Sequence, residues 1–275
     1  MTSARSRGAT GVKAIMLAAG VGSRLNGTSA EESPPKALLR FDGTTLLRRH
    51  VEILRAHGIE RLVLVVGHGR AAIEAEIDAI GARDFVTTII NTDYRRGSVV
   101  SLWHAGAELT GGTPCLFMDA DVLYHPRLIG CLLSSRHGDC LPVDRDFEAG
   151  DDPVMVCVRD GRIVEFRKRA TGAFDSVGEW PGFMRLSGPT AGRLARALDA
   201  MIAEGRLDEA YEEAMRRVMV GPDAVPFGVE DVTGLPWVEI DFPEDLARAR
   251  TEVLPRLRGD ANAGTRPTPR GERRG

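Results

Sequence analysis

Four short apolar runs, separated by helical patterns, fill the first 120 residues, and this alternation constrains the fold more than any other feature of the chain. The runs are 12–17, 61–66 (RLVLVV), 86–90 and 114–118 (PCLFM). The first has the length and near-continuous apolarity of a strand buried on both faces, and the other three read as further strands. Between the first two, Thr44 or Thr45 can cap a helix whose apolar positions include Leu47, Val51 and Leu54, with Gly58 as its stop. Residues 70–80 and 98–109 read as two further helices. The order βαβαβαβ predicts a parallel sheet with helices on both faces. Ligands of such sheets sit beyond the carboxyl ends of the strands.

The second half reads differently. β-like runs at 139–143, 153–158, 162–167 and 181–186 predict hairpins and an antiparallel portion of the sheet. Helices are expected at 189–204 and 208–219, a last strand at 237–240 and a last helix at 243–254. With no repeat and no internal linker, 12–255 is expected to be one domain, between a disordered 1–11 and a flexible Gly/Pro/Thr/Arg tail at 256–275.

A formal net charge of −3 argues against a whole-surface attraction to nucleic acid or anionic membrane. No apolar run approaches the roughly 18 residues of a membrane span, and the N-terminus lacks a secretory pattern, so a cytoplasmic enzyme is expected. Cys115, Cys131, Cys140 and Cys157 form no CxxC pair, have no His at zinc-ligand spacing and read as reduced, buried residues. Lysine occurs only at Lys13, Lys36 and Lys168, which singles each of them out in an otherwise arginine-rich chain.

The turn after the first strand reads Leu17-Ala18-Ala19-Gly20-Val21-Gly22-Ser23-Arg24. Its glycines permit close backbone approach and positive φ, so its N–H groups can surround a phosphate. It is not a dinucleotide fingerprint, which wants Gly where Leu25 stands, nor a P-loop, which ends in GK[ST]. Alone it is as readily a bare glycine turn. Arg24 just past the glycines and Pro35-Lys36 after a short polar insert change that, because two cations beside a Gly-rich loop suit a triphosphate. The plain alternative for Lys36 is a surface lysine.

Asp119-Ala120-Asp121 closes the fourth strand, with alternation placing both carboxylates on one side, where hard oxygens can hold Mg²⁺ against phosphates. Glu239 and Asp241 close the last strand in the same manner. Their competing reading is a helix start, with Asp241, Pro243 and Glu244 forming a capping box.

LAAGVGSR, PPK, the DAD strand end and the late WVEID together resemble the nucleotidyltransferase superfamily. Asn91–Tyr94 with Ser101-Leu102-Trp103, Val143-Asp144-Arg145, Val177–Phe183 and Trp237–Asp241 lean toward its phosphocholine cytidylyltransferase-like branch, which includes phosphonate cytidylyltransferases. The resemblance spans roughly 12–250. It implies a three-layer α/β/α fold, mostly parallel with an antiparallel β-rich portion, like nucleotide-diphospho-sugar transferases. In it Leu17, Ala18, Ala19, Gly20, Gly22, Ser23 and Asp119 line the nucleotide, with Ser101 near the base. Arg24 and Lys36 hold the triphosphate; Asp121 and Asp241, with Glu239, hold Mg²⁺. Lys168, Asp144 and Glu179 are implied to face the acceptor.

The expected partners are therefore CTP and a small phosphonate or phosphate-ester acceptor. A choline headgroup wants an aromatic cage, and 151–158 contains no aromatic residue, which makes 2-aminoethylphosphonate or a hydroxyalkylphosphonate at least as good a fit as phosphocholine. An acceptor oxygen that is already ionised needs no general base, and His68 and His104 read as structural. A sugar-1-phosphate nucleotidyltransferase shares every N-terminal motif and is the alternative. A glycosyltransferase needs no triphosphate loop, and an idle nucleotide-binding regulator has no use for the clustered carboxylates.

Overall fold

The protein is represented by a computed structural model that describes residues 11–26, 34–147 and 153–263. Its centre is a seven-stranded sheet in the spatial order Gly228–Asp231, Cys140–Val143, Phe183–Leu186, Cys115–Asp119, Lys13–Ala18, Leu62–Val66, Val86–Ile90. The four strands expected in the first half are adjacent and parallel, with Lys13–Ala18 between Leu62–Val66 and Cys115–Asp119. Leu62–Val66 is buried along its whole length, as its apolar composition requires. One apolar layer, including Ile15, Val63, Phe117 and Leu194, packs on one face of the sheet; Met16, Leu64, Leu54 and Ile73 pack on the other. The fold is three layers, α/β/α.

Thr45 caps the helix Leu46–Ala56, its side chain accepting from the Arg48 N–H at 3.1 Å. Leu46, Leu47, Val51 and Leu54 form the buried face of that helix. At the sheet's amino-terminal end, far from the turns that carry the motifs, Lys13 and Arg61 both pair with Glu108, at 2.8 and 2.6 Å.

Several expectations need correction. The helix expected over 98–109 is two pieces, Ser98–His104 and Gly106–Thr110, broken at Ala105. Cys140–Val143 is no hairpin arm: it lies in the main sheet, parallel to Gly228–Asp231, a short strand that periodicity does not reveal. Phe183–Leu186 supplies the antiparallel member of that sheet. Only Met155–Arg159 and Arg162–Arg167 form the expected hairpin, turning at Asp160-Gly161, both with positive φ, and Ser176–Glu179 completes a separate three-stranded antiparallel sheet. Trp237–Glu239 stands outside the main sheet, antiparallel to Val122–Tyr124. Beyond Pro243–Arg248 the chain passes through a π-turn at Ala249–Val253 into Leu254–Ala263, so helix continues past the expected domain end at 255. Residues 1–10 and 264–275 lie outside the described residues, as do those parts of the expected disordered terminus and tail.

Candidate functional site

A cleft of about 410 Å³ opens over the carboxyl ends of Lys13–Ala18 and Cys115–Asp119. Leu17, Ala18, Ala19, Gly20, Gly22, Ser23, Arg24, Lys36, Ser101, Asp119, Asp121, Lys168, Glu239 and Asp241 all line it, so residues from six separate segments of sequence meet there.

The glycine-rich turn is held from below by the His68 N–H, which donates to the Ala19 carbonyl at 3.1 Å. Gly22 has φ +67°, and a Cβ there would lie 3.3 Å from Lys36 Cγ, so glycine brings the turn against the lysine stem. Gly20 has ordinary φ, and a Cβ on it would meet nothing within 4 Å; only Gly22 uses the left-handed region that both were expected to permit. The space over Gly20 is open, which leaves its backbone accessible to an anionic ligand.

Lys36 opens the short 3₁₀ turn Lys36–Leu38, and its side chain is 14% exposed, which excludes the surface-lysine reading. Its Nζ donates to Asp121 Oδ2 at 2.8 Å and to Asp241 Oδ1 at 2.5 Å. Burial lowers the Lys36 pKa, but Asp121 and Asp241 more than reverse this and hold it above the usual lysine value. Burial pushes Asp241 up, and Lys36 with Arg24 outweighs it, leaving that carboxyl below the ordinary range. Arg24 reaches Asp241 Oδ2 at 3.0 Å, with its guanidinium over the Phe242 ring.

The capping-box reading of Asp241 is not what the helix uses. Asp245 accepts from the N–H groups of Phe242 and Asp241, at 2.8 and 3.0 Å, which leaves the Asp241 side chain turned to Lys36 and Arg24. Asp121, Glu239 and Asp241 each offer a carboxylate oxygen, all within 4.8 Å of one another. Burial, then the charges of Asp121 and Asp241, drive Glu239 well above the normal range. A set of three converging hard oxygen donors fits Mg²⁺.

Asp119 is pushed up by burial and by Asp121 and Glu239, and its Oδ2 accepts from the Tyr211 hydroxyl at 2.5 Å. Gly182, at φ +87°, makes room for it: a Cβ there would stand 2.9 Å from Asp119 Oδ2. Ser101 is buried and receives the Asn91 amide at 3.0 Å, while the Asn91 oxygen accepts from the Asp93 N–H. Two segments singled out in the sequence are thereby joined.

Asp144 and Glu179 do not line this cleft. They pair through backbone hydrogen bonds beside it, and Asp144 Oδ2 accepts from Trp237 Nε1 at 2.7 Å. Burial pushes Glu179 up to about 7, against the pull of Arg248 and with the push of Asp144 and Asp245. His68 and His104 also lie outside the lining. Sequence reasoning missed Tyr94, Arg95, Arg96, Tyr211 and Glu212, all of which line the cleft. The Arg pair was open to discovery, since it follows the carboxyl end of the third parallel strand, where ligands of such sheets bind.

Comparison with known proteins gives a consistent picture. The profile of the MobA-like NTP transferase domain matches residues 14–216. A bifunctional IPC transferase and DIPP synthase of Rubrobacter xylanophilus is 32% identical over 92% of this chain and 55% of its own length. The CMP-5'-(3-aminopropyl)phosphonate synthase of Streptomyces rubellomurinus is 26% identical over 89% of this chain and 39% of its own. The chain thus spans about half or less of the length of these two relatives. The solved inositol-1-phosphate CTP transferase from T. maritima superposes with a TM-score of 0.70 at 22% identity, covering 90% of this chain and 96% of that one, which shows a shared fold.

Proposed function

Because the chain belongs to the MobA-like NTP transferase domain family, we propose that it is a Mg²⁺-dependent cytidylyltransferase. It transfers CMP from CTP to a small phosphonate or phosphorylated alcohol and releases pyrophosphate. One observation carries the reading: the Lys36 ammonium lies against Asp121 and Asp241 directly beside the glycine-rich turn. Cation, carboxylates and glycine-rich turn thereby line one cleft. The names of the relatives, which include CTP-using enzymes acting on phosphorylated acceptors, support the choice of nucleotide and acceptor class.

The turn Ala18–Ser23 receives the nucleotide, and Ser101, fixed by Asn91, faces its base. Lys36 and Arg24 lie along the triphosphate and take up the charge that grows on the departing pyrophosphate. Asp121, Glu239 and Asp241 would hold Mg²⁺, which when bound supplies further charge neutralisation at the phosphates. An oxygen of the acceptor phosphate or phosphonate forms a bond to the α-phosphorus as the bond from that phosphorus to the bridging oxygen of pyrophosphate breaks. The attacking oxygen is ionised at neutral pH, so the residues need only position and neutralise. Lys168 lines the cleft and lies close enough for its charge to act on Asp241, which suits the acceptor anion.

The test is pyrophosphate release with Mg²⁺, crossing CTP, UTP, ATP and GTP with 2-aminoethylphosphonate, hydroxyalkylphosphonates, phosphocholine, inositol 1-phosphate and glucose 1-phosphate. Release with CTP and a small non-sugar acceptor is the expected result. Release confined to glucose 1-phosphate would replace this reading with a sugar-1-phosphate nucleotidyltransferase.

A further inference from the structure

Three consecutive residues at the end of the fourth strand are each tied through the main chain to a different element. The Asp119 N–H donates to the Gly182 carbonyl at 3.1 Å, and the Asp121 carbonyl accepts from the Ile240 N–H at 3.0 Å. Between them, the Ala120 carbonyl is met at 3.0 Å by Nε2 of His50, from the helix Leu46–Ala56 on one face of the sheet. His50 is thus the side-chain member of the three ties. We propose that His50 is a positioning residue for the metal-binding carboxylate: by holding the Ala120–Asp121 peptide, it fixes where Asp121 presents its oxygens. The inference rests on the functional reading above.

The chemistry of the ring agrees with that role. His50 is 1% exposed, and burial lowers its pKa to about 4, so it carries one ring proton at neutral pH. A carbonyl can only accept, so the proton sits on Nε2, and Nδ1 is the acceptor. Nδ1 faces the Tyr124 hydroxyl at 3.4 Å, and the two rings stack 5.5 Å apart at 18°. The imidazole is therefore packed, stacked and hydrogen-bonded in one orientation. The carbonyl it holds is shared by the peptide that leads into Asp121, so rotation of that peptide would swing the Asp121 side chain. Ala120 is itself buried, and loss of the donor would leave its carbonyl without water to replace it.

Side-chain reach separates this role from general support of the core. The glutamine amide extends as far as Nε2 of histidine, whereas asparagine ends near the position of Nδ1. Mn²⁺ is titrated into wild type, His50→Leu, His50→Asn and His50→Gln with CTP and without acceptor, followed by water-proton relaxation, alongside circular-dichroism melts. The expected result is a tenfold or greater weakening of Mn²⁺ binding in His50→Leu and His50→Asn, recovered to within threefold in His50→Gln. In steady-state assays kcat and the Mg²⁺ requirement move with it, while the KM for CTP stays within twofold. Should His50→Leu not fold, the Asn/Gln pair decides. Wild-type Mn²⁺ affinity in a folded His50→Asn protein, with only the melting temperature lowered, overturns the proposal. Asp121→Asn is the reference: weakened binding there with none in the His50 variants removes His50 alone. Unaltered binding in Asp121→Asn removes the metal site, and with it both this inference and the functional reading.

Discussion

Lys36 and Asp241 are 205 positions apart in sequence and meet at 2.5 Å, with Asp121 sharing the same ammonium at 2.8 Å. This contact draws together the segment after the glycine-rich turn, the end of the fourth strand and the end of the last strand. It fixes one positive charge beside the glycine-rich turn, where the proposed function puts the phosphates of a nucleotide.

Replacing Lys36 by Met removes that charge. Turnover is expected to fall about 10²–10³-fold, the scale of losing one preorganised charge contact to a transition state. The variant also leaves Asp121 and Asp241 facing each other without their shared cation. Its loss of melting temperature relative to wild type should therefore be larger at pH 8 than at pH 5. Thermal melts at the two pH values, with steady-state rates, check both halves.

The two glycines of the phosphate turn should respond differently. Gly22→Ala places a Cβ in the left-handed region and against the Lys36 stem. It should lower unfolding free energy by about 1–2 kcal/mol and lower kcat together with it. Gly20→Ala meets no protein atom, so its stability should hold while the KM for CTP rises. Urea unfolding beside nucleotide kinetics separates the two.

Tyr211→Phe removes the hydroxyl that donates to Asp119 Oδ2. A hydrogen bond to a charged or partly charged group contributes about 1.5–3 kcal/mol, and Asp119 lies on the cleft wall. The KM for CTP should rise about tenfold or more, the lower end of that free energy in binding terms, with a much smaller change in kcat. An equal fall in kcat with unchanged KM would place Asp119 at the reacting phosphates instead.

Glu179 gives a pH dependence of stability. Its pKa rises from an ordinary 4.5 to about 7 on folding. Below pH 4.5 the carboxyl is protonated in both states and makes no difference. Between about 4.5 and 7 the unfolded chain loses the proton and the folded chain retains it, so stability declines as pH rises and levels off above 7. Glu179→Gln should flatten part of that decline, by about 2–3 kcal/mol between pH 4.5 and 7.5. Denaturant titrations of both proteins across that window measure it; Asp119 and Glu239, raised by the same physics, account for slope that remains.

The parallel half of the sheet was legible because Lys13–Ala18, Leu62–Val66 and Cys115–Asp119 carry the near-continuous apolar runs of doubly covered strands, while the edge strand Val86–Ile90, with Thr87 and Ile90 exposed, is β-branched throughout. Gly228–Asp231 was not, since Gly, Val, Glu and Asp in a four-residue edge strand leave no periodicity to detect. The site residues clustered as read because most of them lie at, or within a few residues of, the carboxyl ends of Lys13–Ala18, Cys115–Asp119 and Trp237–Glu239, where ligands of such sheets bind. Asp144 and Glu179 departed from the expected lining because the Trp237 indole and the backbone pairing hold them beside the cleft. His50 gave no signal in sequence: on the apolar face of an amphipathic helix, a buried histidine is indistinguishable from core until its carbonyl partner is known.

The most direct test of the central claim is ³¹P NMR of a reaction holding Mg²⁺, CTP and the acceptor that gives pyrophosphate release. Two coupled resonances from a new P–O–P linkage between CMP and the acceptor are expected, with pyrophosphate appearing in equal amount. Formation of CDP with phosphorylated acceptor, or of free CMP with unchanged acceptor, would contradict it.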